Sequence, residues 1–221
     1  MEVVFRKNGD SVTTKPRAVI VAAGEFPRRD GPAWAVLAAA ERVVCCDGAV
    51  RAYRRRMGRW PDAVVGDLDS AGRLPKACRV VRVAEQETND LEKALRWCRA
   101  EGWMPSAIVG ATGRREDHAI GNVFRALEAE VPIVTDHGTF HPLNGRLTLS
   151  APVGTGVSVF VADASVRLRS EGLAWPLDGV RFRRVWTATL NRTARPCFTV
   201  AGTGKAFVFV ENAPACKTVT R

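Results

Sequence analysis

The chain has 221 residues, 46% of them hydrophobic and 25% charged, with a formal net charge of +10 at pH 7. These globular proportions exclude wholesale disorder and suit one large domain or two smaller ones. No run approaches the ~18 apolar residues of a membrane span, and MEVVFRKNGD has no signal-peptide apolar core, so a cytoplasmic location without membrane contact is expected.

The positive charge favours anionic partners. Outside RRRMGR (54–59), however, the arginines are scattered, and nucleic-acid binding would leave the acidic motifs of the chain unexplained, so no nucleic-acid partner is expected. The six cysteines show no C-x-x-C pair. Buried reduced thiols are therefore expected, with neither a zinc site nor a disulfide framework.

Residues 1–16 are polar and their state is open. Short runs rich in β-branched residues then predict strands at AVIVAA (18–23), RVVCC (42–46), DAVVG (62–66), RVVRVA (79–84), SAIVGA (106–111) and PIVT (132–135). A helix is predicted over 88–102, capped by Thr88 or Asn89, with Leu91, Leu95 and Cys98 on one face and a stop at Gly102. A second, over 116–130, aligns Ile120, Val123, Phe124 and Leu127. Alternating strands and helices predict an open, mostly parallel α/β sheet of Rossmann-like type over residues 1–137. The segment DHGTFHPLNG (136–145) reads as the boundary. From 138 to 221 the period falls to two: GRLTLS, GVSVFVA, SVRLRS, GVRFRRVWTATL, CFTVAG and KAFVFVE predict an antiparallel β-sandwich.

In open α/β sheets ligands bind outside the carboxyl ends of the strands. There this chain places Asp47 after VVCC, Asp67 and Asp69 after AVVG, and Thr112 and Gly113 after AIVGA, with Asp117 and His118 at the next helix start. In an extended GDLDS segment, side-chain alternation points Asp67 and Asp69 the same way. Paired hard oxygen donors without histidine or cysteine ligands suit magnesium, and Asp90 is a third acid; capping of turns is the competing role for such aspartates. GATGRREDH (110–118) combines a glycine-bearing turn with Arg114 and Arg115, a pattern that binds phosphate, although it is neither a Walker A loop nor G-x-G-x-x-G.

Five segments in order, DGA (47–49), PDAVVGDLDS (61–70), EQETNDLEKAL (85–95), GATGRREDHAIGN (110–122) and GLAWPLDG (172–179), resemble the thiamine pyrophosphokinase family. The resemblance implies a homodimer with active sites shared between subunits. It also implies magnesium-dependent transfer of pyrophosphate from ATP to the hydroxyl of thiamine, giving thiamine diphosphate and AMP. It assigns Asp67, Asp69 and Asp90 to the metal and, with Arg115, to catalysis. Gln86, Arg115 and Asp117 fall on the ATP side, where Asp47, Lys93, Thr112 and Gly113 join them, and Trp175 covers thiamine. The chain departs from the family pattern in Asp47-Gly48-Ala49-Val50 for D-G-G-A and in Thr88-Asn89-Asp90 for T-T-D or S-T-D. WTATLN (186–191) stands for a serine-rich S-T-S-N segment, leaving Thr187 and Thr189 as thiamine contacts and Leu190 where asparagine is common. A related pyrophosphokinase acting on a hydroxymethylpterin, or a nucleotide or thiamine-diphosphate sensor without turnover, are the competing functions.

Overall fold

A computed structural model of the protein describes residues 17–69 and 72–212. Residues 1–16, Ser70 of the acid motif and Cys216 lie outside the described residues. The chain divides between Asp136 and His137 into two compact units.

The first unit runs β1 (Arg17–Val21), α1 (Pro32–Ala38), β2 (Arg42–Cys46), α2 (Val50–Met57), β3 (Ala63–Gly66), β4 (Arg79–Arg82), α3 (Asp90–Ala100), β5 (Met104–Val109), α4 (Glu116–Ala129) and β6 (Ile133–Val134). The strands lie in the order β6-β5-β1-β2-β3-β4, every pair parallel. The Val/Ile runs of β1, β2 and β5 are buried on both faces, as a parallel sheet covered by helices requires. On one face Val19, Val43, Val64 and Val109 pack with Leu37 of α1 and Val50 and Tyr53 of α2. Side-chain alternation turns Ala18, Ile20, Val44 and Ile108 to the opposite face, where α3 lies across β1, β2, β3 and β5. Because β1 sits between β2 and β5, the direction of winding reverses there, and a crevice opens at the carboxyl ends of the strands.

Two helical features depart from the sequence expectation. Helices α1 and α2, only seven and eight residues long, are not among the elements expected from the sequence. In α4 the inward residues are Asn122, Ala126 and Leu127, while Ile120 and Phe124 of the expected apolar face are exposed. The helix is turned so that Asn122 reaches the carbonyl of Ala111.

The second unit is a sandwich of two antiparallel sheets. Strands β7 (Gly138–Leu143), β9 (Gly156–Val161), β11 (Ala188–Arg192) and β13 (Ala206–Glu211) form one sheet in the order β11-β9-β13-β7. Strands β8 (Arg146–Ser150), β10 (Arg167–Glu171) and β12 (Cys197–Thr203) form the other in the order β10-β12-β8. Val157, Val159, Val208 and Val210 from the first sheet meet Leu149, Leu168, Phe198 and Val200 from the second. Two expectations change. The boundary segment contains strand β7, whose residues pair with β13 even at Pro142, opposite Phe207. Conversely, GVRFRRVWTATL is not one strand: β11 begins only at Ala188, and the preceding stretch turns back on itself, anchored by buried Phe182.

Cys45, Cys46, Cys78 and Cys98 are free and buried, as expected of structural thiols, whereas Cys197 is exposed. Among the described residues no helix is long and apolar enough to cross a membrane.

Candidate active site

Three carboxylates meet because two neighbouring parallel strands end together. β2 and β3 pair through Cys46 and Val65. Past its end β2 enters a helical turn at Asp47–Ala49, which buries Asp47 almost completely, and β3 delivers Asp67 and Asp69 alongside. One carboxylate oxygen from each of the three lies within 4.8 Å of the others. Gly66 permits this approach: a Cβ there would stand 2.6 Å from the Cβ of Asp47 and 3.2 Å from the Asp90 carboxylate.

The local geometry differs from the expected extended segment. Leu68 is left-handed, with φ of 69°, so alternation is not what aims the two acids. Instead Asp67 Oδ1 accepts from the N–H of Asp69 at 3.4 Å, and Asp67 Oδ2 accepts from Gln86 Nε2 at 3.3 Å. The Gln86 bond, followed by the Asp69 amide, holds the Asp67 carboxyl below its ordinary range. Gln86, read from sequence as an ATP contact, thus orients an acid.

Asp90, expected as the third metal acid, lies beside the cluster rather than in it. As the first residue of α3 it leans along the helix, with Oδ1 3.8 Å from the ammonium of buried Lys93. Burial pushes its carboxyl up; Lys93 opposes this and the charges of Asp67, Asp47 and Asp69 add to it. Two nearby carboxylates, Asp67 and Asp90, are therefore shifted in opposite directions, an arrangement typical of sites that handle protons and charge.

A cavity of about 430 Å³ adjoins these acids and is walled by Asp67, Gln86, Asp90, Lys93, Thr112, Arg114 and Arg115. It is a cationic cleft flanked by an anionic cluster. Arg115 occupies the N-cap of α4 and is clasped by exposed Asp117, Nη2 to Oδ2 at 2.6 Å, which raises the guanidinium and lowers the carboxyl. Asp117 and Gly113 are not among the residues lining the cleft, so Asp117 acts on it through Arg115. His118 lines the wall within α4, 4.0 Å from Asp117 Oδ2. Sequence reasoning missed Gly24 and Asn122. Gly24 follows β1 at the winding reversal, where a Cβ would meet the backbone oxygens of Thr112 and Gly110 at 2.4 and 2.5 Å. Its signal was the AAG that follows the apolar run.

The second unit holds its own cavity of about 330 Å³, walled by Trp175, Leu177, Val180, Thr187, Thr189 and Asn191, among others. Trp175 is half-exposed, with the Arg192 guanidinium 5.4 Å from its ring centroid. Both threonine hydroxyls donate to backbone carbonyls: Thr187 to Arg184 at 2.8 Å and Thr189 to Trp186 at 3.3 Å. Asn191, which sequence reasoning did not select, accepts from the N–H of Trp175 at 3.2 Å and donates to its carbonyl at 2.7 Å. It becomes available because β11 slips register against β9 between Ala188 and Asn191, with Leu190 left-handed and thrown into solvent. The asparagine sits one position beyond where the family pattern has it.

Two family models match the chain. "Thiamin pyrophosphokinase, catalytic domain" covers residues 33–135, and "Thiamin pyrophosphokinase, substrate-binding domain" covers residues 138–209. The chain belongs to the thiamin pyrophosphokinase family. Thiamin pyrophosphokinase 1 of Caenorhabditis elegans is 27% identical over 125 residues, 50% of this chain and 49% of that protein, so the match spans about half the length of the curated relative. Among solved structures, a thiamin pyrophosphokinase family protein from Enterococcus faecalis superposes with a TM-score of 0.72 at 15% identity, covering 90% of this chain and 100% of its own. The thiamin pyrophosphokinase from Geobacillus thermodenitrificans gives 0.69 at 22% identity, with 90% and 99% covered. At these identities the structures establish a shared fold. The acid cluster and cationic cleft lie on residues of the catalytic-domain match, with Ala22, Ala23 and Gly24 just before it, and the Trp175 cavity lies within the substrate-binding match.

Proposed function

We propose that the protein transfers the pyrophosphoryl group of ATP to the hydroxyl of thiamine, releasing AMP and thiamine diphosphate, in the cytoplasm. The carrying observation is the junction of the Asp47, Asp67 and Asp69 carboxylates with the cleft bearing Lys93, Arg114 and Arg115, in a chain of this family.

Magnesium fits the donor set. Three carboxylates converge with no histidine in the group, and one of them is almost fully buried, which is costly without a cation nearby. Asp47, Asp67 and Asp69 would hold the ion, with Asp90 beside them. When bound, magnesium neutralises negative charge on the phosphate oxygens. The chain's own groups do the rest. Gln86 fixes Asp67. Arg115, steadied by Asp117, and Arg114 supply guanidinium forks for phosphate oxygens, and Lys93 supplies an ammonium. Thr112 and Gly113 form the turn that opens α4, where backbone N–H groups receive an anion. The thiamine oxygen forms a bond to the β-phosphorus, the bond to the α-phosphate oxygen breaks, and the hydroxyl proton passes to a carboxylate of the cleft. Positioning and charge neutralisation carry the acceleration.

Half-exposed Trp175 offers its ring to the cationic thiazolium of thiamine, with Arg192 near it. Thr187 and Thr189 still present oxygen lone pairs at the cavity wall. Among the described residues, the cleft beside the acid cluster contains no Phe, Tyr or Trp and the Trp175 cavity contains no acid, so each holds half of what the reaction needs. This supports the proposal that the protein works as a homodimer with composite sites.

The test is incubation with ATP, magnesium and a panel of alcohols including thiamine and a hydroxymethylpterin, with products identified by mass. Thiamine diphosphate and stoichiometric AMP are expected. ADP with thiamine monophosphate, or preference for the pterin, would overturn the assignment.

A further inference from the structure

Two of the loops that line the nucleotide cleft lie far apart in sequence. One precedes α3 and carries Gln86 and Thr88, leading into Asp90 at the helix start; the other follows β5 and carries Thr112, Arg114 and Arg115. For phosphates to meet both at once, the loops must be held at a fixed separation.

A chain of amide side chains spans the gap. Asn89 Oδ1 accepts the N–H of Glu92 at 3.0 Å and so caps α3. The Nδ2 of the same residue donates to Asn122 Oδ1 at 2.9 Å. Asn122 Nδ2 then donates to the carbonyl of Ala111 at 2.9 Å, where β5 passes into the anion-binding turn. Asn122 is buried, so its partners cannot readily be replaced by water. Each amide uses its oxygen and its nitrogen at once, so the direction of the chain is fixed. Flipping either one would oppose like atoms.

We infer that Asn89 and Asn122 are positioning residues that lock the acid-bearing loop to the phosphate-binding turn. This rests on the assignment of the cleft to ATP. Serine at 89 can cap a helix about as well, and threonine nearly so. Only the longer amide can cap and also donate to Asn122, so the Thr88-Asn89-Asp90 departure adds a crosslink that a hydroxyl cannot make.

The experiment compares wild-type enzyme with Asn89→Ser, Asn122→Ser and the double variant. Thermal midpoints first establish that each is folded. Amide hydrogen exchange is measured over residues 110–114 of the unliganded protein, and KM for ATP and for thiamine are measured separately, with direct ATP titration of each protein. Asn89→Ser keeps the cap. It is expected to raise exchange in the 110–114 turn severalfold and KM for ATP by about five- to tenfold, as loss of one buried hydrogen bond implies, while KM for thiamine stays put. The double variant should be no worse than the worse single variant, because either change breaks the same chain. Unchanged exchange at 110–114 together with unchanged KM for ATP in Asn89→Ser would overturn the inference, and so would additive effects in the double variant. If Asn122→Ser does not fold, Asn89→Ser decides alone. Failure of the wild-type protein to bind ATP would instead sink the nucleotide assignment, and with it the positioning role of both asparagines toward phosphate. The exchange data would still report whether the two loops are coupled.

Discussion

Asp47 is buried beside two further carboxylates, and two like charges at ~4 Å repel by roughly 4 kcal/mol at an effective dielectric near 20. Asparagine at 47, 67 or 69 removes that repulsion and one charged ligand together. Each variant is expected to lose about a hundred- to a thousandfold in turnover, as removal of a principal electrostatic group does, while its thermal midpoint in a chelator equals or exceeds that of the wild type. Near-normal activity in Asp69→Asn with unchanged magnesium dependence would return that residue to a turn-stabilising role. Gly24 makes the complementary case, where the backbone and not the charge is at stake. In Gly24→Ala the new methyl would collide with the carbonyl oxygens of Thr112 and Gly110, which belong to main chain and cannot swing away. A loss of about 1–3 kcal/mol in urea unfolding is expected, with KM for ATP raised. At this scale the sequence pointed to a set of acids but not to how the fold arranges them. Asp47 read as a nucleotide contact and Asp90 as a metal acid because spacing along the chain does not reveal that β2 and β3 end side by side. Nor did it reveal that Leu68 reverses the backbone between two aspartates.

Strand β7 illustrates what elements add. It contains His141, set opposite Val208, and burial holds this imidazole down to about 4. Its folded pKa lies below the ordinary value near 6.5, so the unfolded chain takes up the proton first as pH falls. The stabilising contribution is complete above about pH 6.5, is lost as pH drops toward 4, and amounts to about 3 kcal/mol across that window. Urea midpoints at pH 7 and pH 4.5 should therefore diverge in the wild type and converge in His141→Gln; equal divergence in both would show that other groups govern acid sensitivity. β7 was not legible in advance because histidine, proline and an Asn-Gly pair look like a linker when the pairing partner, β13, lies more than sixty residues later. The opposite error arose at residues 180–187, where Val180 and Phe182 alternate with Arg181 and Arg183 like a strand. Only Phe182 is buried, and the hydrogen bonds of Thr187 to Arg184 close a turn instead. Strands β1, β2 and β3 were legible because burial on both faces leaves them a continuous apolar signature, and the exposed β4 was legible from its paired valines alone. Helix α1, seven residues long, and the arginine-rich α2 offered none.

For the whole molecule, the proposed division of labour predicts complementation. Asp67→Asn damages the acid cluster and Trp175→Ala the aromatic cavity, so each protein alone should be inactive. If sites are composite, a mixed dimer contains one doubly damaged site and one intact site. Random exchange makes half the dimers mixed, and roughly a quarter of wild-type activity should return. Subunit exchange is first verified with labelled protomers. If exchange occurs and no activity returns, Trp175 serves the acids of its own subunit or only the sandwich.

The order of strands in the first unit also bears on how the chain is made. Among the described residues, β1 is synthesised before every other strand yet ends in the middle of the parallel sheet, hydrogen-bonded to β2 on one side and to β5 on the other. β5 begins roughly 80 residues after β1 ends. At ~5–20 residues per second, one flank of β1 stays open for roughly 4–16 seconds of translation, an edge able to pair with the wrong strand. Stalled nascent chains ending before Met104 should be cut readily by protease within β1, and protection should rise sharply once β5 has cleared the ribosome. Slowing translation between β4 and β5 would prolong that exposure and lower the soluble yield, even though the finished sequence is unchanged.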